Sequence, residues 1–322
     1  MQATDLYTSV KDDFTAVDAA IIEHLRSQVP LVEKIGKYII DSGGKRLRPL
    51  LVLLAARACG YQQDQHITLA AVIEFIHTAT LLHDDVVDTS DLRRGKPTAN
   101  NKWGNSSSVL VGDFLYSRAF QMLVSIGQVD VMDTISSATN VIAEGEVLQL
   151  LNAKNPDVSE TDYLHVILGK TAMLFEAASH TGAQIAQANA EQADALRRFG
   201  RHLGIAFQLV DDLMDYTGDQ ATMGKNVGDD LAEGKPTLPL IHAMAHGTDD
   251  DRKLIRKAIR QGSCEKIDDI QAIIRRCGSL NYTRARAAQE TQDALACLKI
   301  LNDSPYKTSL ADLCTLALAR QN

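Results

Sequence analysis

Apolar residues recur along this chain at three- and four-residue intervals, the period of a helix with one buried face. Val17, Ile21 and Leu25 share a face of a helix expected over about 8–28, and Val32, Ile35 and Ile39 mark another over 31–41. The second should stop at Gly43–Gly44, where glycine accepts a left-handed terminus. The most apolar stretches are Leu50–Ala56 and Ala70–Leu82, the latter interrupted by Glu74 and His77, within a central helix over about His66–Thr89. Asp91–Lys102 reads as a polar loop, followed by long helices over Asn105–Ile126 and Val129–Leu151 with a break at Gly127. After Pro156, Ser159 and Asp162 stand at capping-box spacing and open a helix reaching about Ala188. Lys170 and Thr171 lie in its middle, and a further helix, Glu191–Tyr216, closes at Gly218. Gly218–Lys235, with four glycines and four acidic residues, reads as a mobile lid-like loop rather than core. Helices resume over about Leu238–Ala245, Arg252–Arg260, Glu265–Arg276, Leu280–Ile300 and Ser309–Arg320. The pattern predicts an all-α protein.

Length changes little in this picture. A chain of 322 residues invites a division into two domains, but it has seven prolines and no linker-like or repetitive tract, so one domain over 1–322 is expected. No uninterrupted run of 18 apolar residues occurs. MQATDLYTSVKDDF lacks the basic-then-apolar order of a signal peptide, so a soluble, cytoplasmic protein is expected. Cys59, Cys264, Cys277, Cys297 and Cys314 form no CxxC, which suits buried thiols in a reducing compartment. The net charge of −8 argues against a nucleic-acid partner. Even so, Lys45, Arg46 and Arg48 cluster, as do Arg93, Arg94 and Lys96. Cations and backbone N–H groups at the GGKRLRP junction suit an anion site, and equally a merely basic turn.

The chemistry lies at the end of the central helix. In IEFIHTATLLHDDVVDTSDLRR, residues Ile73, His77, Thr80, Asp84 and Asp88 fall within about 80° of helical arc. Asp84 and Asp88 therefore project side by side and repel. A divalent cation would compensate, since Mg²⁺ takes one or two carboxylates together with substrate phosphates. A single such cluster reads as well as a solvated acidic helix end. A second one, Asp211, Asp212 and Asp215 in QLVDDLMD, makes surface decoration a poor explanation. Two clusters facing one another would hold a polyphosphate through several metal ions.

GGKRLRP (43–49), LLHDDVVDTSDLRRGKPT (81–98), GKT (169–171), FQLVDDLMD (207–215) and GKPTLP (234–239) together resemble the trans-isoprenyl diphosphate synthase family, in its order and spacing and over nearly the whole chain. The likeness is to the long-chain branch. It implies a bundle of about ten helices around a central cavity, a homodimer, and two to three Mg²⁺ ions per active site. It also implies head-to-tail addition of isopentenyl diphosphate to an allylic diphosphate such as farnesyl diphosphate, giving an all-trans product of octaprenyl length for a quinone side chain. By the same resemblance Asp84, Asp88 and Asp211 are direct metal ligands, supported by Asp85, Asp212 and Asp215. Arg93, Lys170, Thr171, Gln208, Lys225 and Lys235 would hold the allylic diphosphate; Lys45, Arg48, His77 and Arg94 would hold isopentenyl diphosphate. His77 gains separate support from sharing the face of Asp84. Small residues at Ala79 and Thr80, with Ile76 deeper, imply a long product tunnel. Its floor is expected from the Phe114–Leu123 helix. Release of so apolar a product suggests transient membrane contact.

Other readings compete. His83–Asp84 superficially matches metal phosphohydrolases, which need further spaced histidines. A terpene cyclase shares the first cluster but carries a different second motif. A shorter-chain, geranylgeranyl-type synthase and a non-catalytic subunit of a heteromeric synthase are the nearer alternatives. Intact aspartates in both motifs favour a self-sufficient catalyst.

Overall fold

The computed structural model describes residues 3–217 and 228–319. A 3₁₀ segment, Ala3–Val10, precedes α1 (Lys11–His24), α2 (Pro30–Ile40), α3 (Leu47–Ala58) and α4 (Gln65–Val87). Next come a hairpin of two-residue strands, β1 (Leu92–Arg93) and β2 (Lys96–Pro97), then α5 (Ala99–Trp103), α6 (Asn105–Ile126) and α7 (Val129–Asn152). α8 (Glu160–Ile167), a π-turn (Leu168–Ala172), α9 (Met173–Ile185) and α10 (Ala190–Thr217) follow. The remainder comprises α11 (Asp229–Ala232), α12 (Leu238–His246), α13 (Asp249–Gln261), α14 (Ile267–Arg276), α15 (Ser279–Cys297), a 3₁₀ turn and α16 (Pro305–Ala319). The fold is all-α, as the apolar spacing predicts.

Contacts divide the chain into two compact units. One is built from residues up to Ser137 with Leu174–Gly200 and Cys297–Leu313; the other from Ala138–Met173, Arg201–Ala296 and the residues from Cys314 on. In the first unit α4 is the spine. It buries residues on every face, among them Leu69, Val72, Ile73, Phe75, Ile76, Ala79 and Leu82, which is how a helix behaves when neighbours surround it. α1, α3 and α6 pack against it. Gly182 of α9 lies where a β-carbon would meet Ala55 and the Val52 carbonyl of α3, both at 2.8 Å, so glycine is required there. In the second unit Tyr163, Ile167, Leu209, Val210 and Leu238 share a core, and Tyr216, Leu231, Leu240, Ile255 and Ile270 share another.

Several boundaries differ from expectation. The first helix is shorter than 8–28 because its N-terminal part is 3₁₀. Asp91–Lys102 is not simply a loop, since it folds as the hairpin and most of α5. Its two-residue turn is Arg94–Gly95, with φ of 53° and 73°, the doubly left-handed form that matches strand twist. The helix opening after Ser159 has its capping box as expected, but the π-turn interrupts it and it ends at Ile185. Within the expected lid loop, Asp229–Ala232 is helical and Leu231 is fully buried, so that part belongs to the core. Residues 218–227 lie outside the described residues, Lys225 among them. Although no apolar run is uninterrupted, α4 and α6 are long and apolar enough on average to cross a membrane; the most apolar stretch of α4 is 67% buried, that of α6 39%. The first is thereby accounted for as a core helix.

Candidate active site

The first aspartate cluster forms the C-terminal end of α4. Asp84 and Asp88 are half-buried and Asp85 is fully buried. The Asp88 N–H donates to the Asp84 carbonyl at 2.8 Å, so the two carboxylates stay one helical turn apart. Asp85 is turned the other way. Arg93 grips it with a fork, Nε at 2.9 and 3.1 Å and Nη2 at 2.7 Å. Such a bidentate pair offsets the cost of burying the carboxylate. Asn100 of α5 donates to the Asp85 carbonyl at 3.2 Å, and the buried Ser108 hydroxyl of α6 donates to the Leu82 carbonyl at 2.8 Å. His83 packs on Gly112, its Nε2 3.2 Å from the Val109 carbonyl and 3.3 Å from Asp113. The carboxylate-bearing turn is thus tied to its neighbours by backbone and side chain alike.

In the same unit the structure gathers Arg48, His77 and Arg94. Arg48 Nη1 lies 3.3 Å from His77 Nε2. Arginine only donates, so Nε2 accepts and the imidazole hydrogen sits on Nδ1. Burial, and after it the charges of Arg48, Arg93 and Arg94, hold the imidazole well below its usual range, so His77 is neutral at pH 7. Burial first, then Arg94, pulls Arg48 down to about 10 against the opposing pull of Glu74. Arg94 is lowered by burial and by Arg93. The Arg48 guanidinium stacks 4.4 Å over the Phe175 ring, and its Nε is buried without a hydrogen-bond partner. Arg94 reaches this group because of two backbone devices. Its own φ of 53° turns the hairpin, and Gly44 (φ 137°) leaves room where a β-carbon would stand 2.6 Å from the guanidinium. Left-handed backbone at a non-glycine residue costs roughly 1–2 kcal/mol, a cost that marks functional sites. Arg48 and Arg94 thus lie close enough for the charge of one to bear on the other, with the buried Glu74 opposing both shifts. Lys45 is exposed on the adjoining turn, where its carbonyl accepts from the Tyr7 hydroxyl.

The second cluster lies on α10 in the other unit. Asp211 is half-buried; Asp212 and Asp215 are buried. Asp212 accepts from the Tyr163 hydroxyl at 2.5 Å and from Gln208 Nε2 at 2.8 Å. Burial, then the nearby negative charge of Asp230, pushes its carboxyl up to about 8, with Asp211 adding to the effect. Thr171 donates to Gln208 Oε1 at 3.0 Å, and Lys170 pairs with Glu146 of α7 at 2.7 Å. Lys170 and Thr171 sit on the π-turn, which packs backbone to backbone on α7: a β-carbon at Gly145 would stand 2.7 Å from the Lys170 nitrogen. Lys235 is half-buried and pairs with Glu233. Tyr163, Glu146, Asp230 and Phe175 join these groups without belonging to any of the sequence motifs. The glycine–charge pairs Gly145–Glu146 and Gly169–Lys170 were the available signal for Glu146.

Among the described residues no three His, Cys, Asp or Glu side chains converge as a ready metal cage. Asp84 and Asp88 in one unit and Asp211 in the other are half-buried. Ile76 and Ala79 are fully buried in α4, and the Thr80 hydroxyl donates to the His77 carbonyl at 2.8 Å.

Residues 29–277 match the family described as Polyprenyl synthetase. The chain is 53% identical over 309 residues to octaprenyl diphosphate synthase of Escherichia coli (strain K12), covering 96% of each chain. It is 49% identical to the all-trans-nonaprenyl-diphosphate synthase (geranyl-diphosphate specific) of Rhodobacter capsulatus, covering 98% of this chain and 97% of that one. A polyprenyl synthase from Caulobacter crescentus CB15, solved with calcium and isoprenyl diphosphate, superimposes with a TM-score of 0.96 at 41% identity, covering 100% and 98%. The chain belongs to the polyprenyl synthetase family.

Proposed function

We propose that this chain is a cytoplasmic trans-polyprenyl diphosphate synthase. It extends an allylic diphosphate, farnesyl diphosphate, with isopentenyl diphosphate to the octaprenyl length used in a quinone side chain. The 53% identity to an octaprenyl diphosphate synthase over 96% of both chains carries this reading. The gathered Arg48 and Arg94, beside the neutral His77, support it physically, because cations that repel one another gain most when a diphosphate lies among them.

The reaction breaks the allylic C–O bond, and diphosphate departs with the electron pair. The isopentenyl double bond attacks the allylic cation, forming a C–C bond, and a proton passes to the departing pyrophosphate. Asp84, Asp88 and Asp211, supported by Asp85, Asp212 and Asp215, would hold two to three Mg²⁺ ions, which when bound would supply positive charge to the leaving diphosphate. Lys170, Thr171, Gln208, Arg93, Lys225 and Lys235 hold the allylic diphosphate. Lys45, Arg48, His77 and Arg94 hold isopentenyl diphosphate, with neutral His77 adding an N–H rather than a further charge. Arg93 is engaged with Asp85, so its part is shared between substrate and carboxylate.

The chain works as a homodimer, and Leu110, Tyr116 and Val124, exposed on α6, are the apolar surface offered for it; sedimentation velocity tests this. Product release involves transient contact with a membrane. The decisive experiment incubates the purified chain with Mg²⁺, farnesyl diphosphate and isopentenyl diphosphate and resolves the products by chromatography. An octaprenyl product is expected. No elongation by the chain alone would instead favour a non-catalytic subunit. Ala79→Tyr should shorten the product; an unchanged length would place the limiting wall elsewhere.

A further inference from the structure

Tyr163 of α8 belongs to neither aspartate cluster nor any substrate-binding group named above, yet a chain of hydrogen bonds runs from it to Thr171. Its hydroxyl donates to Asp212 Oδ2 at 2.5 Å, Gln208 Nε2 donates to Asp212 Oδ1 at 2.8 Å, and Thr171 Oγ1 donates to Gln208 Oε1 at 3.0 Å. Tyr163, Asp212 and Thr171 are all buried, so solvent does not readily replace a lost bond. The two donors hold different oxygens of Asp212, and the carboxylate cannot rotate without breaking one of them. With Asp212 fixed, Gln208 must present its nitrogen to the carboxylate and its oxygen to Thr171. That choice leaves the second hydrogen of Gln208 Nε2 directed by the chain rather than by chance. α8 is itself fixed at its start by the Ser159–Asp162 capping box.

We infer that Tyr163 is a positioning residue for the allylic diphosphate, setting the orientation of Gln208 and Thr171 through Asp212. The inference rests on the proposed allylic role of Gln208 and Thr171. Tyr163→Phe removes one oxygen and keeps the ring in its core. It should raise KM for the allylic diphosphate about tenfold, the scale of one buried hydrogen bond. KM for isopentenyl diphosphate and kcat should change less than about twofold. In an Asp212→Asn background the same replacement should add almost nothing, because the chain is already broken. An unmoved allylic KM, an equal rise in both KM values, or effects that multiply independently would overturn the inference. Gln208→Ala, measured alongside, separates two failures. If it leaves the allylic KM unchanged, the assignment of Gln208 has failed; if it raises that KM and Tyr163→Phe does not, only the positioning role has failed.

Discussion

Asp85 and Asp212 hold the same place in the same five-residue pattern, and their surroundings differ in kind. Asp85 is buried against an arginine fork, whereas Asp212 is buried against a phenol and an amide, with Asp230 and Asp211 nearby. A cation within the protein meets the first charge. Neutral donors and neighbouring carboxylates surround the second, whose carboxyl is pushed up to about 8. A repeated motif therefore does not imply a repeated environment.

The largest test removes the carboxylates assigned to metal. Asp84→Ala and Asp211→Ala should each cut turnover on the order of a thousandfold or more while circular dichroism stays unchanged. Near-wild-type activity in Asp84→Ala would remove the metal argument for the first cluster. Next in size is the cost of orphaning each central aspartate. Arg93→Ala strands a buried charge and should cost about 3 kcal/mol in urea unfolding. Tyr163→Phe removes a neutral donor and should cost about 1 kcal/mol. Equal costs would break the contrast between the clusters.

A pH series sharpens it further. The Asp212 carboxyl titrates higher folded than unfolded, so the stability it contributes is complete below about pH 4 and is lost as pH rises through about 8. The metal-free protein should melt at progressively lower temperature across that window, and Asp212→Asn should flatten the slope. The smallest effect is expected from Ser159→Ala, which removes the cap of the helix carrying Tyr163. About 1 kcal/mol of stability should be lost, with the isopentenyl diphosphate KM unmoved.

Both aspartate clusters could be read from the chain because each is a local pattern on a periodic helix. The all-α class followed for the same reason. The seat of Arg94 could not, since it depends on Gly44 fifty residues earlier lacking a β-carbon. The hairpin carried a local signal, the Arg94–Gly95 pair between two short strands, but the density of polar residues made it look like loop. Glu74 was visible only as a blemish in an apolar run; its place among arginines is a tertiary fact. LHVILGKTAMLFEAA reads as unbroken helix, and nothing in its composition announces a wider turn.

That wider turn has a consequence for how the protein tolerates change. A π-turn lodges one more residue than the ordinary helical winding, so everything after it is rephased by about 100° relative to what precedes it. Deleting Leu168 would restore ordinary winding, yet Tyr163 and Thr171 would no longer both reach their partners on α10, Asp212 and Gln208. Seen this way, the five residues Leu168–Ala172 act as a gear tooth that keeps two helical faces in step.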